Sequence, residues 1–237
     1  MIIAYNINAW NMNIKKLIES LIELTLIVMV VLGTVFSVTG SKFMAGPTAF
    51  LFFTIQSNLT IAGISLVFLI SNVLELCGKK GFINNTLLLI KYTFTVAITI
   101  TFLVFFIALA PLVGKDYLFS FNNMSVHLIV PLLALTDFFV FDSKIRLTKV
   151  TCLLGCAMPL YYLIFFLIGI PLGFRYVNND VAPYFFLNFK TYGWFTITSK
   201  GPGVFYWILI MLVAISALCY LFLLLVTLRK KLDKKND

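Results

Sequence analysis

Two short polar patterns interrupt the most apolar parts of this sequence. Residues 53–59 read Phe-Thr-Ile-Gln-Ser-Asn-Leu, and residues 122–127 read Asn-Asn-Met-Ser-Val-His. On a helix, Thr54 and Asn58 lie on one face because residues four apart are one turn apart. The second pattern ends in His127, the only histidine of the chain. A hydroxyl beside an imidazole suits acyl transfer, with the hydroxyl as nucleophile and the imidazole as general base.

The two patterns are expected at similar depth. Because a helix rises 1.5 Å per residue, Thr54 should lie about 8 Å and His127 about 6 Å from the outer ends of their helices. Asn123 shares a helix face with His127. Pro131 cannot donate to the carbonyl of residue 127, so we expect a free carbonyl there and a kink below the imidazole.

Both patterns also have structural explanations. Threonine in membrane helices commonly bonds the carbonyl four residues back, and Asn and His often link helices. Three hypotheses follow from the residues: a lipid-ester hydrolase, a transporter of small molecules or lipids, and a non-catalytic membrane structural protein. A transporter should carry polar groups near the bilayer midplane, whereas these segments are nearly all Leu, Ile, Val and Phe at that depth.

The segments around the patterns are long enough to cross a bilayer. Of the residues, 61% are hydrophobic and 11% charged, whereas soluble domains average about half apolar and a quarter charged. A span needs roughly 20 apolar residues. Six stretches qualify, at about 17–38, 49–74, 86–113, 124–142, 149–172 and 203–228. We predict an all-α polytopic membrane protein in which residues 1–237 form a single six-helix transmembrane domain.

Positive charge predicts the orientation of these six helices. Thirteen of the 18 Lys and Arg residues fall on the side of the two termini, if Lys91 is counted there. The other side, which includes Lys42 and Lys200, has five. Since cytoplasmic loops are rich in Lys and Arg, both termini should be cytoplasmic. The same pattern accounts for the net charge of +9 without a nucleic-acid partner. Asp137 should lie near the cytoplasmic end, paired with Lys or Arg.

The longest connection, residues 173–202 between helices five and six, is an aromatic loop on the outer side. It contains Pro183-Tyr184-Phe185-Phe186-Leu187-Asn188-Phe189 and Tyr192-Gly193-Trp194-Phe195. One interpretation is an interfacial aromatic belt. The other is a segment that caps a site between helices, where protein surrounds its backbone.

No cofactor or metal is expected. One histidine and four cysteines at Cys77, Cys152, Cys156 and Cys219 do not make a zinc set. Cys152 and Cys156 share a helix face, which is a poor geometry for a disulfide. The sequence also contains no glycine-rich nucleotide-binding motif.

At these motifs the sequence resembles the androgen-induced/androgen-dependent protein family of six-helix membrane proteins, especially its bacterial branch. The resemblance covers nearly the whole chain in helix count and motif order. Its matching pieces are residues 53–59, His127 with Pro131, residues 183–188 with Tyr192-Gly193-Trp194, and Gly201-Pro202-Gly203.

The resemblance implies an enzyme. Animal members of this family hydrolyse fatty acid esters of hydroxy fatty acids with an intramembrane Thr and His. Carried to this chain, Thr54 would be the nucleophile and His127 the base, acting on a fatty-acyl ester among the membrane lipids of a bacterial plasma membrane. Animal members carry an acidic residue where Asn188 stands. The residues expected to bind substrate, stabilise the oxyanion or support the site are Gln56, Ser57, Asn58, Asn123, Tyr184 and Asn188.

Overall fold

The computed structural model describes residues 2–40, 46–142, 144–199 and 201–236, so Lys42 and Lys200 lie outside it. Six helices of the described chain are long and apolar enough to cross a membrane. We call them α1 to α6: Met12–Gly40, Phe53–Leu76, Asn85–Leu112, Phe121–Phe141, Thr151–Gly169 and Val204–Asp233. This confirms an all-α architecture with six candidate spans, and every predicted boundary lies within five residues of the observed one.

Three of the six helices change their winding along their length. In α3, the α-helix Asn85–Val104 is followed by a π turn, Phe105–Leu109, and a 3-10 turn, Ala110–Leu112. In α4, a π turn, Ser125–Ile129, separates the α-helices Phe121–Met124 and Val130–Phe141. In α5, a 3-10 helix, Thr151–Cys156, precedes Ala157–Gly169. The helical structure of α1 begins at Ile2, and that of α6 continues to Asn236.

The connections fall into two groups, one at each end of the bundle. The terminal end contains the chain termini and residues 77–84 and 142–150. The loop end contains short elements: 3-10 helices Gly46–Leu51, Val177–Asn179 and Phe185–Leu187, helices Lys115–Leu118 and Phe189–Tyr192, and the antiparallel strands β1, Ile197–Thr198, and β2, Gly201–Pro202.

The start of α2 corrects one predicted boundary. Hydropathy placed it near residue 49, but residues Gly46–Leu51 form an apolar 3-10 helix and α2 begins at Phe53. Apolar content alone does not distinguish the two helix types. Thr54 is therefore the second residue of α2 and lies in its first turn, closer to the helix end than the predicted 8 Å.

Both π turns end two residues before a proline. Val130 donates its N–H to the carbonyl of Ser125, five residues back, and Ala110 donates in the same way to Phe105. Pro131 and Pro111 follow immediately. The expected kink at Pro131 is thus realised as a local π winding, which is common at functional sites in helices.

A buried ion cluster joins α1, α3 and α4 towards the terminal end. The Lys91 Nζ lies 2.8 Å from an Asp137 oxygen, 3.0 Å from Asp142 and 3.6 Å from Glu23. It also lies 4.1 Å from the ring centroid of Phe68 on α2. The predicted pairing of Asp137 with a basic residue is confirmed. Lys91, however, is buried in the bundle instead of belonging to the terminal loops.

Helix α1 packs closely against the π turn of α4. A Cβ atom at Gly33 would lie 2.8 Å from both Ser125 Oγ and Val126 Cγ1, so only glycine permits this approach. Ser125 Oγ donates to the carbonyl of Met29 over 2.8 Å. The hydrogen bond and the small residue together fix the position of α4 next to α1.

Helix α6 is held along its terminal half and, at the loop end, by Trp207. Towards the terminal end, Arg229 donates to the carbonyl of Val140 over 2.6 Å, and Lys230 donates to that of Ile145. Cys219 packs against Gly155 at the start of α5, where a Cβ would approach its sulfur within 2.6 Å. Near the loop end, Trp207 contacts the ring of Phe185 edge-on at 5.7 Å. The stretch of α6 between these contacts borders a cavity.

Replacing Lys91 with methionine should destabilise the protein by about 3–5 kcal/mol, because three buried carboxylates would lose their positive partner. Thermal unfolding in detergent would measure the loss, with Lys190→Met on the exposed loop as the matched control. An unchanged melting temperature for Lys91→Met at neutral pH would contradict a structural role for the ion cluster.

Candidate functional site

Thr54 and His127 meet at the loop end of the bundle, with Thr54 nearer its helix end and His127 farther from its own than predicted. Thr54 Oγ1 lies 3.2 Å from His127 Nε2, and both side chains are buried. His127 Nδ1 lies 3.2 Å from the carbonyl oxygen of Asn123. Since a carbonyl can only accept, Nδ1 carries the proton and Nε2 is left as the acceptor for the threonine hydroxyl. This is the tautomer that a general base needs.

Phe105 fixes the plane of the imidazole. Its ring stacks on His127 with the centroids 3.9 Å apart and an interplanar angle of 23°. Phe105 opens the π turn of α3, and His127 is the central residue of the π turn of α4. Sequence reasoning missed Phe105, since an aromatic residue within an apolar span carries no signal of such a contact.

The side chain of Asn58 replaces the backbone N–H donor that α4 lacks at Pro131. In the i to i+5 pattern of the π turn, the partner of the Val126 carbonyl would be the N–H of residue 131, which is Pro131. Asn58 Nδ2 donates to this carbonyl over 3.1 Å and to the Thr54 carbonyl over 2.8 Å. The π winding therefore shifts the predicted unpaired carbonyl from His127 to Val126. Asn58 ties the backbone beside the nucleophile to the backbone beside the base.

The two polar neighbours of Asn58 also position α2. Ser57 Oγ lies 2.7 Å from Thr101 Oγ1 on α3 and donates to the Thr54 carbonyl over 3.0 Å. Gln56 Nε2 donates to the carbonyl of Phe50 over 2.9 Å and so fixes the turn that enters α2. Both residues support the site through the backbone, and neither lines the cavity described below.

The amides expected to stabilise an oxyanion are engaged elsewhere. Asn58 Nδ2 has two carbonyl acceptors for its two N–H groups. Asn123 Nδ2 donates to the carbonyl of Leu118 over 2.8 Å, and the backbone carbonyl of Asn123 accepts from His127. Asn188 caps the short helix Phe189–Tyr192, accepting from the N–H of Thr191 over 3.1 Å. Asn58 and Asn123 are positioning residues, and Asn188 lies outside the cavity lining.

An apolar cavity opens beside Thr54 and His127. About 960 Å³ of space in and in front of the cavity, counted to its open side, is free of protein atoms. All six helices except α1 contribute to its wall, and the aromatic loop closes one end. Its lining contains no charged side chain, and its polar groups are few: Thr54, Thr101, His127, Cys156, Trp207 and the two tyrosines Tyr162 and Tyr184. Such a cavity fits hydrocarbon chains with a single polar group near the threonine.

The aromatic loop contributes to the cavity along part of its length. Tyr184, Phe186 and Leu187 line one end of the cavity. Phe195 and Ile197 further along are 69% and 73% exposed. The ring of Tyr184 packs against Phe52 and against Tyr162 of α5.

The described residues also contain one group of carboxylates with metal-ligand spacing. Oxygens of Glu19, Glu23 and Asp137 lie within 4.8 Å of one another. Glu23 and Asp137 contact Lys91, so an ammonium group already provides positive charge there. Asn72, which donates to Glu23, is 18 residues along α2 from Thr54, or about 27 Å. This group is separate from the threonine–histidine pair.

Replacing Asn58 with leucine should destabilise the fold by about 1–3 kcal/mol, because the buried Val126 carbonyl loses its side-chain donor. Thr93→Val is the matched control, since Thr93 donates only within its own helix, to Leu89. Chemical denaturation in mixed micelles would compare the two. Equal stability of both variants would contradict the bridging role of Asn58.

No protein-family model, no curated protein and no solved structure matches the chain. The function proposed below is therefore inferred from the contacts of Thr54 and His127, the cavity beside them and the motif resemblance.

Proposed function

We propose that this protein is an intramembrane lipid-ester hydrolase with Thr54 as nucleophile and His127 as general base. The observation that carries the proposal is the 3.2 Å contact between Thr54 Oγ1 and His127 Nε2, in the tautomer set by the Asn123 carbonyl. A threonine used only to link helices needs neither this tautomer nor a cavity at its side.

The reaction follows from these contacts. Thr54 Oγ1 attacks the ester carbonyl carbon while His127 Nε2 takes the hydroxyl proton. The tetrahedral intermediate collapses, the alkoxide leaves, and Nε2 returns the proton to it, which leaves an acyl-threonine. Water, deprotonated by Nε2, then attacks the acyl carbon and releases the fatty acid and the free Thr54. Nδ1 keeps its proton throughout and donates it to the Asn123 backbone carbonyl, so the ring keeps its orientation.

The cavity supports an ester with long apolar arms. Its lining is almost entirely hydrocarbon and aromatic, so acyl chains are bound without the cost of burying a charge. The loop half of α6 borders this space, and its other half packs on α3, α4 and α5. Access between α6 and its neighbours would let an acyl chain enter sideways from the lipid. Membrane lipids are thus the proposed source of the substrate.

The same proposal includes an orientation. The excess of Lys and Arg at the terminal end supports cytoplasmic termini, which would place Thr54 and His127 near the outer leaflet. The motif resemblance supports the plasma membrane of a bacterium as the location.

Thr54→Val and His127→Ala should abolish ester hydrolysis and fluorophosphonate labelling, because each removes one half of the nucleophile pair. Thr54→Ser should remain labelled, since it keeps the hydroxyl. Turnover of a long-chain p-nitrophenyl ester by the purified full chain would measure the effect.

The control for the dyad variants is Thr60→Val, whose hydroxyl bonds only the Ser57 carbonyl on its own helix. Hydrolysis that persists in Thr54→Val and His127→Ala would contradict the mechanism. Uptake of a solute by vesicles containing the protein, without hydrolysis, would favour the transporter hypothesis.

Cys77 reports the orientation because it is exposed at the terminal end, whereas Cys152, Cys156 and Cys219 are buried. A membrane-impermeant maleimide should label it in inside-out vesicles and leave it unlabelled in intact cells. Cys77→Ser should remove the signal. Labelling in intact cells would place the termini outside and reverse the proposed topology.

A further inference from the structure

We propose that the Tyr184 hydroxyl and the backbone N–H groups of Phe53 and Thr54 form the oxyanion site of this enzyme. The inference rests on the proposed hydrolase function and deepens it. It replaces the side-chain amides of Asn58 and Asn123, which donate to backbone carbonyls at 2.8–3.1 Å and do not line the cavity.

Next to the nucleophile, the first turn of α2 provides N–H donors that have no backbone acceptor in the described chain; that of Phe53 also interacts with the Tyr162 hydroxyl. The first backbone hydrogen bond of the helix runs from Gln56 N–H to the Phe52 carbonyl over 3.2 Å. The three preceding N–H groups, at residues 53–55, have no backbone acceptor among the described residues, as is usual at a helix start. No side chain caps this end. The partial positive charge of a helix N-terminus favours a developing negative charge beside Thr54.

Tyr184 points its hydroxyl at this turn. The phenol interacts with the Thr54 side chain and with the backbone groups of Phe53 and Thr54. Its ring stacks on Phe186, with centroids 5.3 Å apart and an angle of 11°, and meets Phe52 edge-on at 6.1 Å. Two aromatic neighbours thus hold the hydroxyl at the wall of the cavity where the ester carbonyl must lie.

The phenol keeps its proton at physiological pH. Burial raises the pKa of Tyr184 to about 12, an effect that its hydrogen bonds to Thr54 and Phe53 only partly offset. A neutral phenol can donate to an oxyanion, whereas a phenolate would repel it. Without substrate, the phenol oxygen occupies the space in front of the two N–H groups. When an ester binds, its carbonyl oxygen takes that space and the Tyr184 O–H donates to it.

Each element of the site then has one task in the first transition state. The two N–H groups and the phenol O–H stabilise the carbonyl oxygen as it becomes negative. The Thr54 proton moves to His127 Nε2 on the other side of the nucleophile. The hydrogen bonds to the oxyanion are strongest in the transition state, so their loss should lower kcat and leave KM almost unchanged.

Tyr184→Phe removes the hydroxyl and keeps the ring, so we expect kcat to fall about 100-fold with KM changed less than about threefold. Tyr176→Phe is the matched control: this tyrosine is in the same loop, also meets Phe52 edge-on, at 5.5 Å, and has no hydrogen-bond partner for its hydroxyl among the described residues. It should keep wild-type kcat. Melting temperatures of both variants would show that the fold is intact.

A trifluoromethyl ketone with a long alkyl chain separates chemistry from packing, because Thr54 would add to it and create an oxyanion. Tyr184→Phe should bind this ketone about 100-fold more weakly and bind the corresponding fatty acid as wild type does. Wild-type kcat and ketone affinity in Tyr184→Phe, with Thr54→Val inactive, would overturn the oxyanion site alone. Absence of both turnover and labelling in the wild type would overturn the hydrolase proposal and this inference with it.

Discussion

A backbone carbonyl inside a membrane helix must find a donor, and this requirement organises the loop end of the bundle. Pro131 has no N–H to donate within α4, which forms a π turn just before it. The Val126 carbonyl accepts a hydrogen bond from Asn58 instead. Because Asn58 also bonds the Thr54 carbonyl, the same amide sets the register of α2 against α4. The contact between Thr54 and His127 is a consequence of that register.

One part of the bundle is fixed by buried polar contacts between helices, and another part borders the cavity. Helices α1 to α4 are joined by the Lys91 cluster at one end and by the Asn58 bridge at the other. Helix α6 packs on this unit along its terminal half and borders the cavity with its loop half. A fixed pair of reactive groups next to a loosely covered apolar space is the arrangement that a lipid substrate requires, since the chemistry needs alignment and the chains need room.

The sequence predicts those features that depend on one helix at a time. Span length follows from hydropathy, and the placement of Thr54 and His127 towards the same end of the bundle follows from counting residues from helix ends on one side. The pairing of Asp137 with a basic residue follows from the cost of an unpaired buried charge. What depends on packing between helices was not predictable: the stacking of Phe105 on His127, the partners of Lys91 and the roles of Asn58 and Asn123. The start of α2 was misplaced because a 3-10 helix of apolar residues has the same hydropathy as a continuing α-helix.

The hydrogen-bond acceptor of His127 Nδ1 is a backbone carbonyl, and this determines which substitutions a mutational screen would detect. No substitution at position 123 removes this backbone carbonyl; only one that distorts the helix can move it. A saturation screen for lost activity would then identify two indispensable side chains in the proton path, with no acidic third member. A carbonyl also carries only a partial charge, so it stabilises an imidazolium less than a carboxylate does. In the proposed hydrolase, this arrangement would stabilise the imidazolium less and would keep a buried carboxylate out of the site.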